Sequence, residues 1–181
     1  LACAVVKGKR FEYAVEKAVE LGAHVITPLE TRRGVIDPRD GKRDRWQHLL
    51  VGALKQSGRC HCPQLRPLLR LEALLTAASG PLLYGAAPDD AVAMPRQSPI
   101  QAVQEAVASR REGQPVPQEL VLLVGPEGGW EAGELQQLAA RGARPLDLGP
   151  HVLRTETAAA AGLAALQQVR RGWLDPPPAP A

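Results

Sequence analysis

The sequence has few aromatic residues, few cysteines and no long apolar run. Aromatic residues make up 3% of the 181 positions, so Leu, Ala and Val must fill the core. The apolar fraction of 45% is ordinary for a globular protein. No apolar run approaches the roughly 20 residues that a helix needs to span a bilayer, and no basic-then-apolar leader is present. These absences favour a globular protein, and we expect it to be cytoplasmic.

The cysteines are three in number, which does not make a disulfide framework. Cys60, His61 and Cys62 suggest a metal site, but only these three potential ligands lie close together. No second Cys/His pair stands at zinc-finger spacing. We therefore expect no metal, and reduced cysteines of the kind found in cytoplasmic proteins.

Charge is spread unevenly along the chain. Residues 1–70 hold 14 Lys and Arg against 7 Asp and Glu, a net charge of +7. Residues 71–181 hold 8 against 12, a net charge of −4. Such an asymmetry indicates that the first part faces a polyanion, although a solvated helix face would give the same excess.

The length predicts a single domain with a substantial core, over residues 1–174. Residues 175–181 form a proline-rich tail that cannot pack, and we expect it to be disordered. The chain begins inside a predicted strand without a starting Met, and we expect it to be a fragment.

Strand and helix patterns alternate along the chain. The first helix pattern ends at Gly22, which suits the residue after a helix C-terminus. In the helix near 100–111, Ile100, Val103, Ala106 and Val107 are predicted to point inward. Strands are expected near residues 1–6, 24–29, 65–68, 81–85, 120–124 and 143–148, and helices near 11–21, 45–55, 71–78, 100–111, 131–140 and 158–169. Alternation of this kind predicts an α/β fold, a parallel sheet with helices on both faces.

The stretch from Leu120 to Trp130 is the centre of this pattern. Its apolar run from Leu120 to Val124 predicts a fully buried parallel strand. The loop that follows reads Gly-Pro-Glu-Gly-Gly, and its glycines allow a ligand to approach the backbone. A helix comes next, so the order strand, glycine loop and helix predicts a ligand-binding edge. A tight turn without a ligand is the alternative.

A second glycine loop connects the strand near 143–148 to an alanine-rich helix. Thr155 or Thr157 can cap that helix, and Glu156 suits the positive end of its dipole. Capping does not explain Arg154, because a cation is unfavourable at a helix N-terminus. Arg154 therefore indicates a partner, which could be Glu127, Glu156 or a substrate.

The two loops together resemble a known family. The run G-P-E-G-G-W, followed some twenty residues later by L-G-x-x-V-L-R-T-E-T-A, is similar to the SPOUT class of RNA methyltransferases. Within that class it resembles the RsmE-type enzymes, which methylate N3 of a uridine in small-subunit ribosomal RNA. The runs from Lys17 to Leu29 and from Gln56 to Arg59 extend the resemblance. The resemblance implies a small β-barrel RNA-binding domain at the start of family members, and we expect this chain to begin after it.

The resemblance implies a C-terminal trefoil knot, a homodimer and S-adenosylmethionine as methyl donor. Leu163, Leu166 and Val169 follow an alanine-rich stretch that would permit close helix packing in such a dimer. For catalysis the resemblance points to Arg154 and Glu127. We expect Arg154 to stabilise a uracil that loses its N3 proton. The implied cofactor contacts are Leu83, Tyr84, Gly85, Val124, Gly125, Pro126, Glu127, Gly128, Gly129, Leu148, Gly149, Val152, Leu153, Arg154, Thr155, Thr157 and Ala158.

Small-subunit ribosomal RNA is the expected partner, and the basic residues of the first part are its predicted contacts. A polar loop from Thr31 to Asp44, rich in Arg and Gly, is expected to be mobile and to contact phosphate. Arg59 follows the next helix and could instead interact with the dipole of that helix. The predicted RNA contacts are Arg32, Arg33, Arg43 and Arg59.

Other functions remain open at the level of sequence. The chain could be a SPOUT methyltransferase that acts on another RNA position. A non-catalytic RNA-binding or nucleotide-binding domain is a second alternative, which the pair of glycine loops disfavours. A nucleotide-binding oxidoreductase or regulatory domain is a third, and no G-x-G-x-x-G or Walker loop supports it.

Overall fold

The structure, a computed structural model, describes residues 1–34, 42–88, 90, 94–108 and 119–174. Strands and helices alternate through most of this range, as the sequence predicts. The strands are β1 (Ala2–Ala4), β2 (Val25–Glu30), β3 (Gln64–Leu65), β4 (Leu69–Arg70), β5 (Leu82–Gly85), β6 (Val121–Val124) and β7 (Arg144–Leu146). The helices are α1 (Arg10–Glu20), α2 (Lys42–Ser57), α3 (Leu71–Ala77), α4 (Pro99–Ala108), α5 (Ala132–Ala140) and α6 (Thr155–Leu174).

The strands form one parallel sheet in the order β3-β2-β1-β6-β5-β7, with β4 also paired to β2. In the centre, Ala2 of β1 is level with Leu123 of β6. On its other side, β6 pairs with β5, where Leu82 is level with Val121. The apolar run from Leu120 to Val124 therefore becomes a central strand with parallel neighbours on both sides, as predicted.

Helices cover both faces of the sheet, which confirms the predicted α/β class. On one face, side chains of α1, α2, α4 and α6 pack on alternate strand residues such as Cys3 and Leu122. On the other face, α3 and α5 pack on the intervening residues, such as Ala2 and Leu123. The alternation follows from the two-residue period of a strand, which sends neighbouring side chains to opposite faces.

Two predicted elements between residues 31 and 70 differ from the structure. Helix α2 begins at Lys42, so the polar loop is shorter than expected and Arg43 is helical. Asp44 lies in the first turn, where its negative charge suits the helix dipole. The strand expected near 65–68 is two short strands, β3 and β4, along the edge of β2. Pro67 lies between them and has no N–H to donate to the sheet. Residues 35–41 of the predicted mobile loop lie outside the described residues.

Helices α4 and α6 also correct the sequence interpretation. Val103 is buried as predicted, but Ile100 is 55% exposed and Ala102 is buried instead, so the inner face of α4 is rotated from the predicted one. Helix α6 begins at Thr155, three residues earlier than expected, because its first turn takes in the Thr-Glu-Thr run. Leu163, Leu166 and Val169 are buried in the core of the chain itself, so they do not form a free dimer face. The predicted disordered tail, residues 175–181, lies outside the described residues.

The described residues contain no helix that is both long and apolar enough to cross a membrane.

Candidate functional site

A cleft lies where the three neighbouring strands β6, β5 and β7 end. The carboxyl ends of parallel strands share one edge of a sheet, so the loops that follow these strands come together there. The space between the loops amounts to about 530 Å³, part of it open to solvent. The cleft is lined by Gly85, Ala86, Ala87, Asp90, Val124, Gly125, Pro126, Glu127, Gly129, Trp130, Leu148, Gly149, His151, Val152, Leu153, Thr155 and Ala158.

The indole of Trp130 joins two sides of the cleft. Trp130 is 3% exposed, and its Nε1 donates a hydrogen bond to the carbonyl oxygen of Gly85 at 2.9 Å. A Cβ atom on Gly125 would lie only 2.9 Å from Cε2 of this indole. Gly125 is therefore required for close packing, whereas Gly129 is required for its left-handed backbone, with φ +72°.

The N-terminus of α5 fixes the end of the first glycine loop. Glu131 precedes the helix, and its side chain accepts a hydrogen bond from the backbone of Glu134. The carboxylate of Glu134, 5% exposed, accepts from the backbone N–H of Glu131 at 2.9 Å. Its other oxygen accepts from the backbone N–H of Arg32 at 3.0 Å. One buried carboxylate thus caps the helix and also holds the segment that follows β2.

The second glycine loop joins the cleft through Thr155. This residue begins α6, and its hydroxyl donates a hydrogen bond to the carbonyl oxygen of Gly125 at 3.0 Å. The expected capping by Thr155 or Thr157 is therefore wrong, because Thr155 binds the neighbouring loop and Thr157 lies exposed within the helix. Gly149 has a φ of +123°, which lets the backbone turn before the helix.

Backbone groups of the second loop are available to a ligand. Within the described part of the chain, the N–H groups of Val152 and Leu153 have no hydrogen-bond partner. Both residues line the cleft, and the side chain of Val152 is 59% exposed. The loop therefore offers donors and an apolar surface together, which is the usual composition of a cofactor site.

The cleft gathers most of the predicted cofactor contacts but not all of them. Leu83 and Tyr84 lie buried in β5, behind the cleft, where Leu83 packs against the core. Burial, with a smaller contribution from the charge of Asp90, raises the pKa of Tyr84 to about 12. Gly128, Arg154 and Thr157 also lie outside the lining.

Arg154 and Glu127 are not paired with each other. The carboxylate of Glu127 accepts a hydrogen bond from the guanidinium of Arg10, the first residue of α1, and forms an ion pair with it. Arg154 is exposed, and it has no ion pair among the residues that the structure describes. Glu156 has a buried carboxylate oxygen without a hydrogen-bond partner in the same set of residues. The expected pairing of Arg154 with Glu127 or Glu156 is therefore wrong. Arg10 is the partner of Glu127, because β1 lies beside β6, and Glu156 makes no ion pair among the described residues.

Sequence reasoning missed several residues of this site. Arg10 belongs to a basic turn after β1, and only the order of the strands shows that this turn borders the cleft. Asp90 lines the cleft, and its carboxylate accepts a hydrogen bond from the backbone N–H of Ala87 at 2.7 Å. His151 also lines it. The sequence feature that could have identified His151 is its place in the second glycine loop, two residues after Gly149.

The predicted RNA contacts do not lie together. Arg33 lies beside the first glycine loop, where its Nη1 donates to the carbonyl oxygen of Gly128 at 2.6 Å. Arg32 is exposed, and Arg43 donates weakly to the carbonyl oxygen of Leu65 at 3.4 Å.

Arg59 is directed elsewhere. Its Nη1 donates to the carbonyl oxygens of Val19 and Ala23 at 2.8 and 3.0 Å. These carbonyls precede β2, at the edge of the sheet opposite the cleft. Arg59 thus has a structural partner at the end of α1, a different helix from its own.

Cys60 and Cys62 are exposed and free, whereas Cys3 is buried in the sheet. Burial raises the pKa of the Cys3 thiol to about 12. Among the described residues, no group of three or more His, Cys, Asp and Glu side chains is placed to hold a metal ion.

Comparison with known proteins gives related sequences and folds. The model of the RNA methyltransferase domain family matches residues 1–167. Ribosomal RNA small subunit methyltransferase E of Synechocystis is 30% identical over 91% of this chain and 51% of its own length. A putative methyltransferase from Legionella pneumophila, solved with bound S-adenosylmethionine, is 33% identical with a TM-score of 0.75, over 92% of this chain and 64% of that one.

A further solved structure is ribosomal RNA small subunit methyltransferase E from Neisseria gonorrhoeae, bound to S-adenosylmethionine. It is 31% identical with a TM-score of 0.71, over 93% of this chain and 65% of that one. The chain thus spans between half and two thirds of the length of the relatives described. The match of the family model to residues 1–167 agrees with the resemblance of the two glycine loops, and the chain belongs to the RNA methyltransferase domain family.

Proposed function

We propose that this chain binds S-adenosylmethionine in the cleft and transfers its methyl group to N3 of a uridine in small-subunit ribosomal RNA. The observation that carries the proposal is the meeting of three strand-end loops, which are built largely of glycine and small apolar residues. Two solved relatives, from Legionella and Neisseria, are described with this cofactor bound. The bound cofactor would supply an electrophilic methyl group on a sulfonium centre.

The residues of the cleft fit such a cofactor. The free backbone donors of Val152 and Leu153 suit the acceptor atoms of an adenine or a carboxylate. Asp90 offers a carboxylate that could accept hydrogen bonds from ribose hydroxyls or an ammonium group. Apolar contact with the adenine would come from Val124, Leu148 and Leu153. The cleft thus combines apolar walls with a few fixed polar groups, as small-molecule sites generally do.

Arg154 is the proposed group for stabilising the reacting uracil. It lies next to Leu153 and Thr155, which line the cleft, yet its own side chain is exposed and has no ion pair in the described part of the chain. Loss of the N3 proton to solvent water puts negative charge on O2 and O4 of the uracil. An arginine remains charged and donates in a fixed planar geometry, so it suits those oxygens. Catalysis would then rest on orientation and charge stabilisation.

Glu127 has a different proposed role because Arg10, and not Arg154, is its partner. We infer that Glu127 orients the first glycine loop rather than the guanidinium of Arg154. Its exposed position at the edge of the cleft also leaves it able to contact the cofactor.

Titration calorimetry with S-adenosylmethionine is the first test. We expect binding of this ligand by a folded sample, and no comparable binding of NAD by the same sample. Absence of heat with S-adenosylmethionine at about millimolar concentration, the weak end of useful affinities, would refute the proposal. Binding of NAD instead would favour the nucleotide-binding alternative.

Mass spectrometry of digested RNA tests the chemistry. Small ribosomal subunits that lack the modification would be incubated with the protein and the labelled cofactor. We expect label in 3-methyluridine. Label in another nucleoside would support a methyltransferase of different site specificity, and RNA binding without label would support a non-catalytic module.

Charge reversal tests the proposed RNA surface. Replacing Arg32, Arg33 and Arg43 by Glu should weaken binding to ribosomal RNA and flatten its dependence on salt, because fewer counterions are released. Arg170→Glu is the matched control, since Arg170 is exposed and its charge acts on His24, at the opposite edge of the sheet. Equal affinity and equal salt dependence in the triple variant would show that these charges are merely solvated.

The family resemblance also supports a homodimer, a trefoil knot and a cytoplasmic location as proposals. Sedimentation at about micromolar concentration tests the dimer, because an association of that strength is populated there. A species of only 19.3 kDa would refute it.

A further inference from the structure

Two arginines from the first part of the chain hold the first glycine loop, residues 125–129. Arg10 begins α1, directly after the turn that leaves β1, and its guanidinium pairs with the carboxylate of Glu127. Arg33 follows β2, and its Nη1 donates to the carbonyl oxygen of Gly128 at 2.6 Å. We propose that Arg10 and Arg33 are positioning residues that set the place of this loop for the cofactor. The cofactor part of this inference rests on the proposed function.

The loop has few anchors of its own. Its internal hydrogen bond runs from the N–H of Gly129 to the carbonyl oxygen of Pro126, at 2.9 Å. Its glycines have no side chains with which to pack, and glycine has the greatest freedom of the backbone to lose. Contacts that fix such a loop must therefore come from neighbouring elements. The hydrogen bond from the hydroxyl of Thr155 in α6 to the carbonyl oxygen of Gly125 is one of them.

The order of the strands explains why the arginines reach the loop. Strand β1 lies beside β6, and β2 lies beside β1, so the carboxyl ends of β1 and β2 lie in succession on one side of the end of β6. Arg10 approaches the loop from the nearer of these ends and Arg33 from the farther. Arg33 also packs its aliphatic carbons on Gly128, where a Cβ atom would lie 3.4 Å from Cδ of the arginine.

The contact of Arg33 extends to the start of α5. Its Nε lies 3.9 Å from a carboxylate oxygen of Glu131, the residue that caps this helix. The backbone of Arg32 is meanwhile bound by Glu134. The segment after β2 is therefore attached both to the glycine loop and to the start of α5. The side chain of Arg33 contacts Gly128 and Glu131, and the backbone N–H of Arg32 donates to Glu134.

Partial exposure limits the strength of these contacts. The side chains of Arg10 and Glu127 are 43% and 38% exposed, and that of Arg33 is 51% exposed. Ion pairs and hydrogen bonds at such positions change an equilibrium by about two- to fivefold. Removing one arginine should therefore loosen the loop by about that factor without unfolding the chain.

Hydrogen–deuterium exchange of the ligand-free protein tests the inference directly. The readout is exchange in a peptide that covers residues 125–131, in Arg10→Ala and in Arg33→Ala. We expect exchange there to be about two- to fivefold faster in each variant, with the thermal midpoint nearly unchanged. Arg45→Ala is the matched control, because Arg45 pairs with Glu12 of α1 at 2.8 Å and makes no contact with the loop.

The same variants are then titrated with S-adenosylmethionine. We expect the affinity to fall by a similar factor in Arg10→Ala and Arg33→Ala, and to remain at the wild-type value in Arg45→Ala. Arg10→Lys should recover part of the loss, since a lysine can still pair with Glu127. The exchanged pair, Arg10→Glu with Glu127→Arg, should recover more of the protection from exchange than either single reversal does.

The outcomes separate this inference from the proposed function. If exchange of the loop and cofactor affinity in both variants equal those of the wild type, the inference is overturned. If Arg33→Ala weakens only RNA binding, then Arg33 is an RNA contact and not a positioning residue. If the wild type does not bind S-adenosylmethionine while exchange in the variants still increases, the proposed function fails and the positioning of the loop stands.

Discussion

Replacement of Gly125 by alanine should be the most damaging small change at the cleft. The new Cβ atom would lie 2.9 Å from Cε2 of Trp130 and 3.2 Å from its Cδ2 and Nε1. Real Cβ atoms do not approach other atoms so closely, so the indole must move. Trp130 is 3% exposed and packs edge-on against Tyr84, with ring centroids 6.3 Å apart. Movement would also break its hydrogen bond to Gly85.

The magnitude follows from these two losses. Overpacking of a buried site destabilises by about 1–3 kcal/mol, and loss of the Gly85 hydrogen bond adds about 0.5–1.5 kcal/mol. We therefore expect the free energy of unfolding to fall by about 2–4 kcal/mol. For a chain of this size, each kcal/mol shifts the thermal midpoint by roughly 2–4 °C, so a fall of roughly 5–15 °C is expected.

Urea unfolding and thermal melts measure the effect, and two other glycines are matched controls. A Cβ atom on Gly128 would meet only the side chain of Arg33, with Cδ at 3.4 Å and Cβ at 3.5 Å, which are ordinary contact distances, so Gly128→Ala should change stability little. A Cβ atom on Gly133 would meet nothing within 4 Å. Because Gly133 lies in α5, its replacement should stabilise by up to about 1 kcal/mol. Equal effects of Gly125→Ala and Gly128→Ala would refute the reasoning.

Three further predictions concern single side chains. Because the Cys3 thiol is buried and its pKa is raised to about 12, native-state alkylation followed by mass spectrometry should label Cys60 and Cys62 but not Cys3, which should react only after unfolding. Arg154→Ala should keep the affinity for S-adenosylmethionine within a few-fold but slow methyl transfer by about a hundredfold; parallel loss of both would instead indicate a structural role. His24 is exposed, but partial desolvation, aided by the charges of Arg170 and Arg59, lowers its pKa below 6.5 in the folded state. The neutral form therefore favours folding. The stability it contributes should be present above that value and be lost as pH falls through the folded pKa, and His24→Gln should remove this dependence from thermal melts.

Periodicity was enough to predict the architecture. The apolar run of β6, the helical spacing in α1 and the glycine after α1 each depend on residues a few positions apart, and the structure confirms them. Periodicity failed where neighbours in space override local preference. Ile100 fits an inward position by spacing, yet it is exposed because α4 turns Ala102 and Val103 to the core. The split of the predicted strand at 65–68 depends on one proline within a very short edge strand.

The candidate site was predictable in its loops but not in its ion pairs. Glycine loops after strands can be read directly from the sequence, so the lining around Gly125 and Gly149 was expected. The partner of Glu127 depends on which strand lies beside β6, and no local pattern contains that information. Arg10 is 117 positions from Glu127 in the chain and reaches it only because β1 is inserted next to β6. Long-range pairs of this kind require the topology first.

The pairing of Glu127 with Arg10 changes the argument for Arg154. Paired with Glu127, Arg154 could have been explained as a tie between the two glycine loops. The loops are instead joined by the hydroxyl of Thr155, which donates to Gly125. Arg154 then stands at the N-terminus of α6, where a positive charge is unfavourable by about 0.3–1 kcal/mol, with no compensating ion pair among the described residues. We therefore propose that Arg154, which lies beside residues that line the cleft, interacts with a negatively charged group that arrives from outside the chain.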